Sequence, residues 1–513
     1  METLQDLLVR AATIYGEKTY LKELVGKKIV ETSFSELEEN SRRLGAYLQQ
    51  KTKGSICHAA VIGATSAAYL TCYFGTVCSG NVIVPLDAQL GVEDLCDHLQ
   101  RSDASVLFCD KRYLAMLPEI RRACPAIHSI VLMQAVETAD VETLPQILEQ
   151  TSPMTWEPIS PDACAAIIYT SGTTGKSKGV MLSHGNLMDN TMCEEGESTP
   201  EDVLLTVLPI HHVYCFTCDI LLSLRYGATV CVNDSMMHIA QNLKRFQPTM
   251  ILLVPMIADT IYKKMQAVAQ TNPTLSMNEI STAVFGGRLK GIFSGGAYLH
   301  PSLIAAYKEI GIPIAQGYGM TECSPRIATA HLEDESIGDV GTIVHGCQVK
   351  IVDGEIWAKS PSVMMGYYQN PEATAEALSE DGWLRTGDLG YVDESNHLFL
   401  TGRKKNLIIL SNGENVSPEE LENKFAGLDW VGELLVYAEE GQITAELFPS
   451  QEFLAANGNS AVQAAFQKQV EAINRTVPSA KTIRRLRIRE VEFEKTPSRK
   501  IKRQQTQKGA IVV

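Results

Sequence analysis

The chain lacks a long apolar run. Its most apolar stretch, MILLVPMIA at residues 250–258, spans 9 residues and is broken by Pro255, whereas a membrane-crossing helix needs about twenty. No membrane span is expected. The N-terminus, METLQDLLVRAA, carries Glu2 and Asp6 and lacks the basic start and small-residue cleavage site of a secretory signal. A disulfide rhythm is missing too. The 13 cysteines are an odd number, scattered irregularly, which fits a reducing compartment and a cytoplasmic protein. Cys215 and Cys218, in CFTC, have metal or redox spacing. No second pair accompanies them and apolar residues surround them, so packing is the expected role. Nor is there a basic excess. The formal net charge is −15, and a nucleic-acid binder needs a basic surface. Nucleic acid is therefore not an expected partner. The basic residues cluster late, in KTIRRLRIR and SRKIKRQQTQK, where they form either a solvated face or an anion site.

What is present is ordered. TSFSELEENSRRLGAYLQQ (32–50) reads as a helix opened by Ser35 with Glu38 three residues on. Residues 59–87 read strand, helix, strand. ASVLFCD, TVLPI, ATVCVN and TMILLVP follow as strands, with IAQNLKRF as a helix. This alternation indicates α/β layers with largely parallel, buried sheets. After about residue 335 the texture changes to short strands, with a hairpin expected at Asp353-Gly354. A last alternating unit begins near GRKKNLIIL (402–410).

YTSGTTGKSKGVMLSH (169–184) follows the apolar run AAII. Its turn offers backbone N–H groups free of bulky side chains, several hydroxyls and two ammonium groups. That chemistry suits a polyphosphate. It is not a P-loop of the form G-x-x-x-x-G-K-[ST], because position 170, where the first glycine belongs, is Thr. The residues after it also read as a returning strand, whereas a P-loop opens a helix. A flexible Ser/Thr/Gly surface loop has the same composition.

Four further stretches carry matching chemistry. GYGMTECSP (317–325) offers a tyrosine face for a base, a threonine hydroxyl for a phosphate oxygen and a glutamate for Mg²⁺. GWLRTGDLGY (382–391) places Asp388 on a turn, where a carboxylate can accept from ribose hydroxyls. GRKKNLIILSNGENVSPEELE (402–422) gives Arg403, a strand, a glycine turn and a helix capped at Ser417-Pro418. FEKTPSRKIKR (493–503) presents Lys500 in a basic turn.

In this order the motifs resemble the adenylate-forming superfamily of acyl-CoA synthetases, peptide-synthetase adenylation domains and firefly-type luciferases. The resemblance runs from about residue 30 to 505 and leans toward the fatty-acyl-CoA synthetase branch. It implies an α/β fold: a large N-terminal region of layered sheets and helices, residues 1–402, and a small mobile C-terminal α/β domain, residues 403–513. The hinge falls at Arg403–Lys405. It also implies an AMP-forming ligase that uses ATP, Mg²⁺ and CoA. A carboxylate attacks the α-phosphorus of ATP, and a thiol then displaces AMP.

Carried onto this sequence, the resemblance assigns Thr170, Ser171, Gly172, Thr173, Thr174, Gly175, Lys176 and Lys178 to the β- and γ-phosphates. Gly295, Gly296 and Ala297 line the adenine and acyl pocket. Gln316 and Gly317 flank the adenine, and Tyr318 stacks on it. Thr321 bonds the α-phosphate and Glu322 holds Mg²⁺. Asp388 and Arg403 bind the ribose. Lys500 reaches the substrate carboxylate and the α-phosphate, and His212 switches between carboxylate and adenine. Gly413 borders the tunnel for the pantetheine arm.

Two positions depart from the family pattern. Arg499 replaces a glycine before Lys500. Arg326 brings a charge close to the start of an acyl pocket, where it faces solvent or pairs with a polar substrate group. Amino-acid activators carry an Asp shortly after the position of His212. Here no carboxylate appears before Asp219, and an unpaired ammonium is costly to bury. A medium- or long-chain fatty acid is the expected substrate, with an aryl or other carboxylic acid as the alternative. CoA is the expected acceptor. A separate acyl carrier protein, docked by the basic C-terminal stretch, is the second reading, and a non-catalytic nucleotide-binding relative is the third.

Overall fold

The computed structural model describes residues 2–136, 140–170, 177–193, 198–334, 338–409, 415–495, 501–503 and 510–512. Ser171 to Lys176, Gly413, Arg499 and Lys500 lie outside the described residues.

The expected layers form. A nine-stranded sheet holds five parallel neighbours: Thr229–Val232, Val203–Thr206, Met250–Leu253, Gly291–Ser294 and Ile314–Gly319. An eight-stranded sheet is parallel through His58–Ile62, Val82–Leu86, Ala104–Cys109 and Cys164–Thr170. These strands read as apolar runs because helices cover both faces, and their side chains are almost wholly buried. In open sheets of this kind ligands bind beyond the carboxyl ends of the parallel strands. Thr170, Gly295 and Gly317 all sit at such ends.

Local chemistry explains where elements start and stop. The early helix is Phe34–Thr52, and its cap is Ser33, whose Oγ accepts from Glu36 N at 3.1 Å. The Ser35–Glu38 box is thus displaced by two residues. Glu38 instead accepts from Arg42 Nε at 2.5 Å and Trp156 Nε1 at 3.0 Å. Phe34 is fully buried, and starting the helix there places it in the core. The expected strand TVLPI is a correction. The strand is Val203–Thr206, and the buried Val207, Leu208 and Ile210 continue as loop. Pro209 has no N–H to give a central strand. The hairpin at Asp353-Gly354 forms between Gln348–Val352 and Glu355–Lys359, with φ of 51° and 80° at its two central residues. That pair of left-handed residues matches the twist of the strands it joins.

Residues from Ile408 to Ile483 build an apolar core of their own, including Val416, Phe425, Trp430, Leu447 and Phe466. The late basic strand Ile483–Arg489 lies parallel to Gln442–Pro449. Three of its four arginines face acids. Arg487 reaches Glu439 at 2.5 Å, Arg489 reaches the buried Glu446 at 3.2 Å, and Arg485 reaches Glu440 at 2.5 Å. These three charges are paired across the sheet, while Arg484 on the same strand is exposed. No helix among the described residues is long and apolar enough to cross a membrane.

Candidate active site

Thr170 ends its strand directly opposite Lys178, the first residue of Lys178–Ser183. The glycine- and hydroxyl-rich segment therefore joins two antiparallel strands, as its sequence suggested. Lys178 Nζ lies 4.8 Å from the centroid of the Tyr367 ring. The Tyr367 hydroxyl donates to Glu322 Oε1 at 2.8 Å. One aromatic ring thus joins the residue assigned to phosphate and the residue assigned to metal. Tyr367 lies within SVMMGYYQN, and no sequence signal singled it out, because its role depends on a sheet contact with Met181 and Val180.

Glu322 is 8% exposed. It rides on a single 3₁₀ turn, Thr321–Cys323. Gly319 shapes the approach. A Cβ there would stand 1.9 Å from the Pro325 carbonyl oxygen, which accepts from Met320 N at 2.9 Å. No side chain fits between these two backbone segments, so the motif requires glycine. The turn is folded back on itself and holds Thr321 and Glu322 together at its crest. Among the described residues, nothing donates to the second Glu322 oxygen. A buried carboxylate with one oxygen fixed and the other unclaimed fits a hard divalent cation.

Tyr318 and Asp388 meet. The Tyr318 hydroxyl donates to Asp388 Oδ2 at 2.8 Å, and Arg403 Nε donates to Asp388 Oδ1 at 2.9 Å. Burial and the adjoining carboxylate push the Tyr318 phenol far above its ordinary range. Asp388 and Arg403 are cross-strand partners. The next residue, Lys404, reaches the buried Glu355 at 2.8 Å. Two consecutive cations at the expected hinge are therefore tied to two carboxylates of the N-terminal region.

Ser294 pairs with Gln316, and Gly295 follows at the strand end. A Cβ on Gly295 would lie 3.1 Å from Tyr214 Cζ and 3.4 Å from the Gly317 carbonyl. Gly296 and Ala297 continue the same turn. Tyr214 lies two residues after His212 in the chain. The His211 and His212 rings are 4.2 Å apart. Burial, then the neighbouring His212, push His211 well below the usual imidazole range.

Beyond His212 the chain winds into a π-helical segment, Phe216–Leu221. Such widened turns recur at functional sites. Cys218 lies within it and Cys215 directly before it, both buried, and among the described residues no group of three or more His, Cys, Asp or Glu could hold a metal. Packing is what the structure gives this pair. Asp219 is fully buried, and burial pushes its carboxyl up to about 7, against hydrogen bonds from Thr206 and Cys215. A folded carboxyl that keeps its proton after the unfolded one, near 3.8, has lost it stabilises the fold at low pH. That stability is lost as pH rises from about 4 to about 7. Asp219→Asn, a mimic of the protonated acid, is expected to remove a slope of up to ~1.4 kcal/mol per pH unit from the urea unfolding free energy in that window. Equal slopes in wild type and variant would mean that Asp219 is ionised in the fold.

Arg326 is half-buried and bonded to the chain itself. Its Nη2 donates to the Asn190 carbonyl and, at 3.3 Å, to Cys193 Sγ, while Nε lies 3.3 Å from Asn190 Oδ1. It is anchored at the C-terminal end of the helix His184–Met192, where a cation is favoured. Of the positions read from sequence, Lys178 and Glu322 meet through Tyr367. Tyr318, Asp388 and Arg403 meet directly, and Gly295 meets Gly317.

Residues 8–368 match the AMP-binding enzyme family, and residues 405–509 match the AMP-binding enzyme C-terminal domain. The chain belongs to the AMP-binding enzyme family. It is an AMP-forming acyl-CoA synthetase that uses ATP, Mg²⁺ and CoA. The long-chain-fatty-acid–CoA ligase FadD15 of Mycobacterium bovis is 28% identical to it over 526 residues, covering 86% of this chain and 85% of that one. A feruloyl-CoA synthase of Amycolatopsis is 30% identical over 413 residues, covering 77% and 78%. The structure of the anthranilate CoA ligase AuaEII with anthranoyl-AMP superposes on this AMP-binding enzyme with a TM-score of 0.82 at 20% identity, covering 98% and 96% of the chains.

Proposed function

We propose that the enzyme activates a medium- or long-chain fatty acid as its acyl-adenylate and transfers the acyl group to CoA. The observation that carries this reading is the segment after His212. Its only carboxylate, Asp219, is sealed in the core, so no carboxylate there awaits a substrate ammonium. The fatty-acid ligase relatives support the same choice. An aryl acid is the second reading, favoured by the feruloyl-CoA synthase at 30% identity.

In this reading Thr170, Ser171, Gly172, Thr173, Thr174, Gly175, Lys176 and Lys178 hold the β- and γ-phosphates. Gln316, Gly317 and Tyr318 hold the adenine, Asp388 and Arg403 the ribose, and Thr321 the α-phosphate. Glu322 would hold Mg²⁺, which would supply positive charge beside the phosphates. The approach of two anions calls for cations rather than a general base, and Lys500 supplies one at the reacting oxygens. His212 guards the boundary of acyl pocket and nucleotide. Residues 1–402 form the fixed body and 403–513 the mobile domain, with Gly413 beside the thiol path. The ties of Arg403 to Asp388 and Lys404 to Glu355 are contacts that a domain swing would exchange. CoA is the acceptor. The pairing of Arg485, Arg487 and Arg489 with acids takes support from a docked carrier protein, which is the alternative.

The test is pyrophosphate release across dodecanoate, palmitate, benzoate and ferulate, with thioester formation on CoA and on a holo-carrier. The largest kcat/KM is expected with a fatty acid and with CoA. A maximum with ferulate or benzoate would establish the aryl reading instead.

A further inference from the structure

The turn that carries Thr321 and Glu322 ends in a thiol. Cys323 is its last residue, and its side chain is fully buried. That thiol donates a hydrogen bond to the sulfur of Cys347. The backbone brings the two together. Arg326–Thr329 pairs with Thr342–Ile343. Val344 N then donates to the Ile327 carbonyl at 3.0 Å, and Cys347 N to the Val344 carbonyl at 3.1 Å. The chain up to Cys347 thus runs back beside the segment that follows Cys323.

The two thiols are unequal. Cys323 is sealed, whereas Cys347 reaches intermediate exposure. Hydrogen bonds from Cys323 and from the Lys359 backbone N–H hold Cys347 below the usual thiol range, against burial and the Asp189 carboxylate. Cys164, the other cysteine of intermediate exposure, is pushed by burial up to about 11. The thiolate is the reactive form, so of these two Cys347 is the one poised to react. Cys96 and Cys124 also touch, but both are buried.

We propose that Cys323 and Cys347 are a modification site: a hydroperoxide joins them in a reversible disulfide, which slows adenylation by displacing the turn that carries Thr321 and Glu322. The Cys347 thiolate attacks one peroxide oxygen and the O–O bond breaks. The departing oxygen takes a proton, and Cys347 is left as a sulfenic acid. The Cys323 sulfur then attacks Cys347, the S–O bond breaks, and the Cys323 proton leaves with the hydroxyl as water. Two thiols and one hydrogen peroxide become one disulfide and two waters. A dithiol reductant reverses the bond by exchange. Bonded sulfurs stand about 2.05 Å apart, closer than a thiol hydrogen bond, so one side of the pair has to move. Cys347 leads directly into Gln348–Val352, which is paired along its length with Glu355–Lys359 and yields little. Cys323 lies on a single turn, so the turn follows the bond. That motion shifts Glu322 relative to Tyr367, whose hydroxyl meets it at 2.8 Å.

The effect on adenylation rests on the reading of Glu322 as the residue that holds Mg²⁺, and the test separates the two. Wild type and Cys347→Ser are treated with hydrogen peroxide, blocked with iodoacetamide and mapped by mass spectrometry. Cys347→Ala replaces the serine variant if that one fails to fold. Pyrophosphate exchange is measured before oxidation, after it, and after dithiothreitol, and the Mg²⁺ requirement of reduced Glu322→Gln is measured alongside. In wild type a peptide linked through Cys323 and Cys347 is expected, with exchange lowered about tenfold and restored by dithiothreitol. Cys347→Ser is expected to match wild type before oxidation and to keep its activity after it. Absence of the linked peptide, or an equal loss of exchange in Cys347→Ser, would overturn the inference. A linked peptide with unchanged exchange would overturn the effect on adenylation. If oxidation acts as expected while Glu322→Gln leaves the Mg²⁺ requirement unmoved, the metal reading fails and the disulfide stands.

Discussion

Lys500→Ala is expected to lower ATP-dependent pyrophosphate exchange by roughly a hundredfold or more and to leave CoA attack on a supplied acyl-adenylate largely intact. Two anions meet in the first half-reaction, and a desolvated cation beside the reacting oxygens lowers that barrier. Its loss costs on the order of 3 kcal/mol. The second half-reaction has a different demand, since a thiol attacks the acyl carbonyl carbon of the mixed anhydride and AMP is the leaving group. If Lys500 belongs to a domain that docks differently for each step, only the first suffers. Arg403 and Lys404, at the start of that domain, contact Asp388 and Glu355. Equal loss in both half-reactions would end the alternating-domain reading.

Glu322→Gln is expected to raise the Mg²⁺ requirement of adenylation by about tenfold or more, with little change in the melting temperature of the free protein. The geometry makes this substitution informative. The Tyr367 hydroxyl donates to one Glu322 oxygen only. A glutamine in the same place still offers Tyr367 a carbonyl oxygen, so the buried tie survives. What it lacks is the second, anionic oxygen. Melting curves with and without MgATP separate the effects. A sharp fall in the free protein, with no response to excess Mg²⁺, would make Glu322 a structural residue.

What was legible in the sequence is what local backbone sets. The Gly-Tyr-Gly-Met-Thr-Glu run brings its groups together over a few residues, and Gly319 marks where that backbone is crowded. Asp353-Gly354 was legible for the same reason, since a two-residue turn carries its own signal. Tyr367 was not. A tyrosine on a short strand has many ordinary uses. Only the pairing of Gly366–Tyr367 with Lys178–Ser183 brings Tyr367 to Glu322. The helix cap at Ser33 was missed because two serines stand two residues apart, and burial of Phe34 decides between them. The contact of Arg326 with Asn190 was not legible because the two lie 136 residues apart.

The distribution of thiols turns the molecule into a ready instrument. Eleven of the thirteen cysteines are buried, and only Cys164 and Cys347 reach intermediate exposure. None follows Cys347 in the sequence, so the whole C-terminal unit is free of sulfhydryl groups. A cysteine introduced at Glu440, whose side chain is 74% exposed, would stand alone there as a fast-reacting handle. A spin label or fluorophore attached to it would follow the C-terminal unit through both half-reactions. The buried thiols, modified only as the surrounding layers open, would report loosening of the larger body on a separate and slower clock.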